Sequence, residues 1–181
     1  MLSIDMHSID MPALEIRALS SSAEILSMLS ELLIDVVAHG GSVGFMHPLP
    51  PPQAQAFWRN SLAAADIGAR IVLGAFDEDT LVGTVTLLLD CPPNQPHRGE
   101  IAKLMTCRDY RGRGVASSLI RAVETLAVEH RRSLLVLDTA TDEGASAFYE
   151  KLGYVRAGEI PDYALKPHGG LTGTIIFWKK V

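Results

Sequence analysis

Four stretches of the chain carry apolar residues at every third or fourth position, the spacing that places them on one face of a helix. The first follows a run of serines that can cap a helix and ends at His39-Gly40-Gly41. The spacing predicts helices over Ile25–Val36, Gln53–Ala65, Val115–Glu129 and Ala145–Leu152.

Between these helices lie short segments that alternate or run together as apolar residues, the pattern of strands. Strands are predicted over Leu14–Ala18, Arg70–Phe76, Thr80–Leu89, Gly99–Thr106, Leu134–Leu137, Tyr154–Glu159 and Thr174–Lys179. A long loop is expected over Pro161–Gly173, where Pro167, Gly169 and Gly170 occur. Helices between strands, with a hairpin ahead of them, indicate an α/β protein with a mixed sheet.

A glycine-rich turn joins the strand Gly99–Thr106 to the helix after it. Its sequence is Arg111-Gly112-Arg113-Gly114-Val115-Ala116. The free N–H groups of a helix start suit a phosphate, and glycines let a phosphate approach the backbone. Three interpretations are open. In the first, it is an ordinary turn between a strand and a helix, with glycines for geometry. In the second, it is a dinucleotide site, for which Asp138 lies about 20 residues further along the chain. In the third, it is a coenzyme A pyrophosphate site of the form Arg/Gln-x-x-Gly-x-Gly/Ala.

A second motif favours the third interpretation. Residues 142–154 have the sequence Asp142-Glu-Gly-Ala-Ser-Ala-Phe-Tyr149-Glu-Lys-Leu-Gly-Tyr154. This is the pattern Asn-x-x-Ala-x-x-Phe/Leu-Tyr-x-x-x-Gly-Phe/Tyr, with Asp142 in place of the asparagine. Together the two motifs resemble the GNAT superfamily of acetyl-CoA-dependent N-acetyltransferases. The resemblance implies a mixed, mostly antiparallel central sheet with flanking helices and a split between strands 4 and 5. The length of 181 residues suits one domain, expected over residues 13–181, after a flexible tail of residues 1–12 that has little to bury.

The same resemblance assigns the residues that hold acetyl-CoA, the expected co-substrate. Backbone groups of Leu104, Met105 and Thr106 are expected to pair with the pantetheine arm. The pyrophosphate is expected on Arg111, Gly112, Arg113, Gly114, Val115 and Ala116. Asp142 stands where the family often has an asparagine that contacts the arm, and an ionised aspartate accepts hydrogen bonds but donates none.

Acetyl transfer to an amine requires a base, a stabilised carbonyl oxygen and an acid for the leaving thiolate. Glu100 is a candidate base in an apolar strand, or else a solvated carboxylate paired with Arg98 or Lys103. Asp138 follows a buried strand and is a second candidate, or else caps the turn at residues 139–141. Tyr149 is the candidate acid by resemblance, or else packs in the core.

The loop Gly41–His47 combines glycines with apolar residues. It is either a hydrophobic plug over the core or a wall of the acceptor site that contains Phe45 and Met46. His39 and His47 are candidate bases, helix caps or polar surface.

Composition narrows the classes of function. A net charge of −5 over 181 residues argues against a broad nucleic-acid surface. Cys91 and Cys107 have no paired spacing, and no metal site is predicted. With no basic leader and no long apolar run, we expect a cytoplasmic protein that does not enter the membrane, as a monomer or a homodimer.

Within the superfamily, several short segments resemble acetyltransferases that confer tabtoxin resistance, among them Gly-Ser-Val-Gly-Phe-Met at residues 41–46. That resemblance implies a small amino-acid-like amine as acceptor, held by Asp138, with Glu100 and Tyr149 in catalysis. Arg98 or the loop Gly41–His47 is expected to bind the acceptor's carboxylate. Acetylation of protein N-termini or lysines, and coenzyme A binding without catalysis, remain as alternatives.

Overall fold

The computed structural model describes residues 14–181, apart from the side chain of Glu143. The predicted tail, residues 1–12, lies outside the described residues. The elements in chain order are β1 (Glu15–Ala18), α1 (Ala23–Ala38), α2 (Pro51–Asp66), β2 (Arg70–Asp77), β3 (Thr80–Leu88), β4 (Arg98–Thr106), α3 (Val115–Glu129), β5 (Leu134–Ala140), α4 (Ser146–Lys151), β6 (Val155–Leu165) and β7 (Leu171–Lys180).

Seven strands of this described range form one sheet in the order β1-β2-β3-β4-β5-β7-β6. Neighbouring strands are antiparallel except for the central pair β4 and β5, which is parallel and is connected through α3. The predicted fold class, a mostly antiparallel mixed sheet with flanking helices, is therefore confirmed.

The parallel pair β4–β5 is short. Its register consists of Arg98 with Leu134, Gly99 with Leu135 and Glu100 with Val136, and pairing ends there. Beyond Glu100, β4 remains bonded to β3, while β5 remains bonded to β7 as far as Ala140. The two strands therefore part and leave an opening in the middle of the sheet, which is the split expected between strands 4 and 5.

The helices cover the two faces of the sheet and form two hydrophobic cores. On one face α3 buries Leu119 and Ile120 against the central strands. On the other face α1 and α2 pack around Trp58, which is fully buried. Gly83 permits the close approach of α3, because a methyl group there would lie 2.8 Å from Cγ1 of Val115 and 2.9 Å from the carbonyl oxygen of Met105.

A β-bulge interrupts β4 just where the strands part. The register moves from Thr86 opposite Ala102 to Thr84 opposite Met105, so β4 has one residue more than its partner. Lys103 lies in this bulge with a φ of 54°. Strict alternation would place Ile101 and Met105 on the same face, yet Ile101 packs in the α3 core and Met105 in the α1–α2 core. The bulge therefore exchanges the two faces along β4.

Two predictions of secondary structure were wrong in extent. The expected loop Pro161–Gly173 is mostly strand, because β6 continues to Leu165 and β7 begins at Leu171. Pro161 is tolerated because β6 is an edge strand, and a bulge between Ile160 and Ala164 removes local pairing. The strand predicted to end at Leu137 continues to Ala140, so Asp138 lies within β5 and does not cap a following turn.

Candidate functional site

The opening between β4 and β5 is the floor of a cleft of about 580 Å³, a volume typical of small-ligand sites. One part of it is bounded by the glycine-rich turn and α4, the other by the loop after α1 and the β6–β7 hairpin. We call these the coenzyme end and the acceptor end. Predicted site residues that line the cleft are Leu104, Met105, Thr106, Arg111, Ala116, Asp138 and Tyr149.

The glycine-rich turn leads into α3 at the coenzyme end. Gly112 and Gly114 have φ values of 76° and 83°, in the left-handed region where a side chain introduces strain. A methyl group at either position would meet no other atom within 4 Å. Glycine is therefore needed there for backbone conformation, and the space above the helix start stays open. Such a start, beside the Arg111 guanidinium, suits a pyrophosphate.

The other members of the predicted pyrophosphate motif contribute differently. Val115 is buried in the core, so only its backbone is available to a ligand. Arg113 lies over the ring of Tyr110, 5.1 Å from its centroid, and does not line the cleft. Tyr110 in turn donates a 2.6 Å hydrogen bond to Asp77, which raises the pKa of Tyr110.

Leu104, Met105 and Thr106 present a free backbone edge to the opening. On their β3 side they belong to the sheet, whereas the pairing with β5 has already ended at Glu100. An extended ligand that carries amide groups can add to this edge as a strand would. The arrangement matches what the pantetheine arm requires.

Tyr149 lies on α4 and is 7% exposed, with the remaining surface directed at the cleft. Its ring packs against Phe148, Tyr154 and Phe177, at centroid distances of 5.1, 5.8 and 5.8 Å. Tyr149 thus has the packing expected of a core residue and also lines the cleft; its role as the acid stays a prediction.

Asp138 projects from β5 into the cleft and is held from the neighbouring strand. The hydroxyl of Thr174, itself buried, lies 2.9 Å from Oδ2 of Asp138 and 3.2 Å from the carbonyl oxygen of Thr139. The carboxylate therefore has a fixed orientation toward the opening while one oxygen remains free for a ligand. Sequence reasoning missed Thr174, since its partner lies 36 positions away.

Glu100 does not line the cleft. Its Oε2 accepts a 3.1 Å hydrogen bond from Arg98, and its side chain is 41% exposed. Arg98 is held further by a 2.7 Å bond from its Nε to Gln95. The structure thus places Glu100 at the last paired residue before the strands part, in the ion pair with Arg98 that was one of the two interpretations.

Asp142 also lies outside the cleft-lining residues. Lys166, on the turn between β6 and β7, donates a 3.1 Å hydrogen bond to its Oδ2. That bond and the charge of Lys166 lower the pKa of Asp142. The aspartate therefore ties the segment before α4 to the last hairpin.

The loop after α1 contributes Gly41, Ser42, Val43 and Gly44 to the acceptor end. Phe45 is half-buried against Phe57, at 5.2 Å between ring centroids, and Met46 is 46% exposed; neither lines the cleft. This loop is thus both a plug over the α1–α2 core and, through its glycines, a wall of the cleft.

The loop after α1 contacts the turn between β6 and β7 at the acceptor end. The N–H of His47 donates a 2.9 Å bond to the carbonyl of Pro167, and Nε2 of His168 lies 2.9 Å from the carbonyl of Ala38. The ring centroids of His47 and His168 are 4.5 Å apart. His39 ends α1 as its cap, with Nδ1 2.8 Å from the carbonyl of Asp35. Neither His39 nor His47 lines the cleft.

Lys103 is a second cleft residue, after Thr174, to which sequence reasoning gave no role in the site. It lines the cleft from the bulge of β4, with Nζ 5.5 Å and 5.9 Å from the ring centroids of Phe57 and Phe45. Burial lowers the pKa of Lys103, and the nearby charge of Asp138 partly opposes that shift. A lysine inside an otherwise apolar strand segment was the available signal.

Two features are absent from residues 14–181. Among them no group of three or more His, Cys, Asp or Glu is placed to bind a metal ion. No helix in this range has the length and hydropathy needed to cross a bilayer.

Comparison with known proteins adds named relatives. N-alpha-acetyltransferase 30 of Schizosaccharomyces pombe is 35% identical over 92 residues, which cover 50% of this chain and 61% of that protein. N-acetylaspartate synthetase of Danio rerio is 37% identical over 67 residues, covering 36% and 24% of the two chains. The chain thus spans 61% and 24% of the length of these two relatives.

A solved structure and a family model cover more of the chain. The yncA structure from Salmonella typhimurium, determined with its cofactor acetyl-CoA, superposes with a TM-score of 0.76 over 93% of this chain and 94% of that one. At 15% identity this is a likeness of fold. The model of the acetyltransferase (GNAT) family matches residues 41–154, which include both predicted motifs. The prediction of a GNAT family member is thereby confirmed, and the chain belongs to the acetyltransferase (GNAT) family.

Proposed function

We propose that the protein transfers the acetyl group of acetyl-CoA to the amino group of a small amino-acid-like acceptor, of the tabtoxinine-lactam kind. The observation that carries the acceptor size is the contact between the loop after α1 and the β6–β7 turn. The rings of His47 and His168 pack there at a tilt, one hydrogen bond joins the loop to the turn, and a second joins His168 to Ala38 at the end of α1. A cleft bounded at its acceptor end by two segments that contact each other accommodates a small molecule more readily than a folded chain.

The residues at the coenzyme end fit acetyl-CoA. Gly112 and Gly114 leave open space above the start of α3, and Arg111 supplies a cation there. The unpaired edge of β4 supplies N–H and carbonyl groups for the pantetheine amides. When bound, acetyl-CoA supplies a thioester, whose carbonyl carbon an amine can attack.

The protein's own side chains then act on the acceptor and on the developing thiolate. Asp138, oriented by Thr174, attracts the acceptor's ammonium to the opening. Glu100, where the strands part, takes its proton through water, since the carboxylate does not reach the cleft directly. Tyr149 donates a proton to the thiolate. Juxtaposition of amine and thioester supplies a further part of the acceleration.

Acetylation of a protein N-terminus is the second candidate. The relatives that bear the name N-alpha-acetyltransferase support it. A peptide acceptor would have to enter between the loop after α1 and the β6–β7 turn, and it would separate His47 from His168. Both candidates share the coenzyme end and differ only in what the acceptor end admits.

The test is a panel of acceptors with purified protein, followed by release of free thiol. Small amino-acid-like amines, including tabtoxinine-β-lactam, should be acetylated well, and peptides with free N-termini or lysines should not. The reverse result would replace the small-acceptor proposal with the protein-acceptor one. If wild type and Tyr149→Phe bind acetyl-CoA equally well and neither acetylates any acceptor, the result would support a non-catalytic coenzyme sensor.

A further inference from the structure

Two opposite charges, Lys103 and Asp138, line the same part of the cleft without neutralising each other. Among the described residues that line it, the other charged side chain is Arg111, at the coenzyme end. We infer that Lys103 binds the carboxylate of the acceptor while Asp138 binds its amine, so that the enzyme selects zwitterionic acceptors. This inference rests on the small-acceptor function proposed above and names the group that gives it specificity.

Lys103 lines the cleft, and its ammonium lies beside two aromatic rings that do not line it. Phe57 and Phe45 lie 5.5 Å and 5.9 Å from Nζ, within the range of a cation–π contact. The positive φ of Lys103 and the bulge direct the side chain to the α1–α2 side of the sheet. A methyl group at Gly44 would lie 3.4 Å from Nζ, so glycine there keeps room beside the ammonium.

No carboxylate of the described residues lies within 4.0 Å of this ammonium. A half-buried cation held only by aromatic rings retains a strong preference for an anion. Asp138 is near enough to influence the pKa of Lys103 but forms no ion pair with it. A molecule that carries both an amine and a carboxylate satisfies both side chains at once.

The other cations of the region have different partners. Arg98, which the sequence suggested for the acceptor carboxylate, is bonded to Gln95 and Glu100 and does not line the cleft. Arg111 lies where the pyrophosphate is expected. Lys103 is therefore the cation of the described chain that faces the acceptor end.

The test compares amines that differ only in a carboxylate, such as L-lysine with cadaverine and L-serine with ethanolamine, together with tabtoxinine-β-lactam. For wild type we expect kcat/KM to favour the carboxylated member by about 10- to 100-fold, the value of a hydrogen bond between charged groups. Lys103→Met should abolish this preference through the acceptor KM. Lys103→Arg should restore part of it, because the charge is kept.

Lys180→Met is the matched control, since it removes an exposed cation at the end of β7. Lys180→Met should keep the preference for carboxylated acceptors. Neither Lys180→Met nor Lys103→Met should change the KM for acetyl-CoA. The inference is overturned if wild type acetylates both members of a pair equally, a result that needs no variant. It is also overturned if Lys103→Met raises the KM for acetyl-CoA, or if Lys103→Arg loses kcat as fully as Lys103→Met, which would make Lys103 a base.

Failure of this inference is distinguishable from failure of the proposed function. Small amines acetylated without regard to a carboxylate would remove the role of Lys103 and leave the small-acceptor function standing. Peptides acetylated in place of every small amine would remove both.

Discussion

Thr174 on β7 donates a hydrogen bond to Asp138 on β5, with 2.9 Å between the two oxygens. The donor is 3% exposed, whereas the carboxylate lies open in the cleft. A buried hydroxyl thus fixes the direction of an accessible charge, and the sheet pairing next to the opening sets the geometry of the acceptor end.

Replacing Thr174 with valine should weaken acceptor binding. The substitution removes the hydroxyl and leaves Asp138 free to turn into solvent, so we expect the acceptor KM to rise about 3- to 10-fold, with a smaller change in kcat. Steady-state kinetics at saturating acetyl-CoA measure this. Thr174→Ser keeps the hydroxyl and should stay near wild type. Equal KM values in wild type and Thr174→Val would mean that the hydrogen bond does not position Asp138 for binding.

Gly114→Glu should abolish binding of acetyl-CoA. The new carboxylate would stand at the start of α3, where the structure leaves open space and where a pyrophosphate is expected. Calorimetric titration of acetyl-CoA measures the loss.

Gly68→Glu is the control for backbone strain in this experiment. Gly68 has a φ of 77°, a methyl group there would meet nothing within 4 Å, and the residue lies between α2 and β2, outside the glycine-rich turn. Both variants should therefore lose similar stability, and only Gly114→Glu should lose the ligand. Equal affinities in the two variants would exclude the turn as the pyrophosphate site.

Tyr149→Phe should lower kcat by about 100-fold, the usual scale for loss of a general acid, with little change in acetyl-CoA affinity. The aromatic packing against Phe148 and Phe177 is kept, so the fold should persist. Tyr154→Phe is the matched control, since that ring lies 5.8 Å from Tyr149 and does not line the cleft. A full rate in Tyr149→Phe would leave Tyr149 with packing alone.

Asp142→Asn should lower the melting temperature at neutral pH by removing the negative charge that pairs with Lys166. The pKa of Asp142 is lowered in the folded state, so its stabilising effect is present above the ordinary aspartate value of about 3.9 and is lost as the pH falls below it. The difference between wild type and variant should therefore close in acid. Thermal unfolding at several pH values checks this, with Lys166→Met expected to behave alike.

Acetyl-CoA affinity provides a second readout for the same variant. An asparagine at position 142 restores the residue that the family often carries there. A changed affinity would indicate that position 142 contacts the coenzyme, whereas an unchanged affinity with lower stability would assign Asp142 to the hairpin alone.

The coenzyme end could be predicted from sequence because its signals are local. Gly112 and Gly114 precede a helix with clear apolar periodicity, and both glycines indeed have positive φ. The two motifs and their interval were sufficient to predict the family and the parting of the central strands.

The acceptor end could not be predicted, because it depends on contacts between distant segments and on a change of register. The bulge reverses the alternation of β4, so the side that Lys103 occupies does not follow from its position in the strand. Pro161 and the glycines of the last turn predicted a loop, but an edge strand accommodates a proline that an inner strand would not. The hydrogen bond from Thr174 to Asp138 links β7 to β5 over a long separation in sequence.

The sheet consists of two blocks, β1–β4 and β5–β7. The three residue pairs between β4 and β5 join the blocks along a short seam. Any ligand that hydrogen-bonds along β4 beyond Glu100 lengthens that seam and acts as an eighth strand between the blocks. A coenzyme bound there, as proposed above, would therefore also stabilise the sheet by its free energy of binding. Release of the product would then remove this stabilisation of the sheet at every turnover.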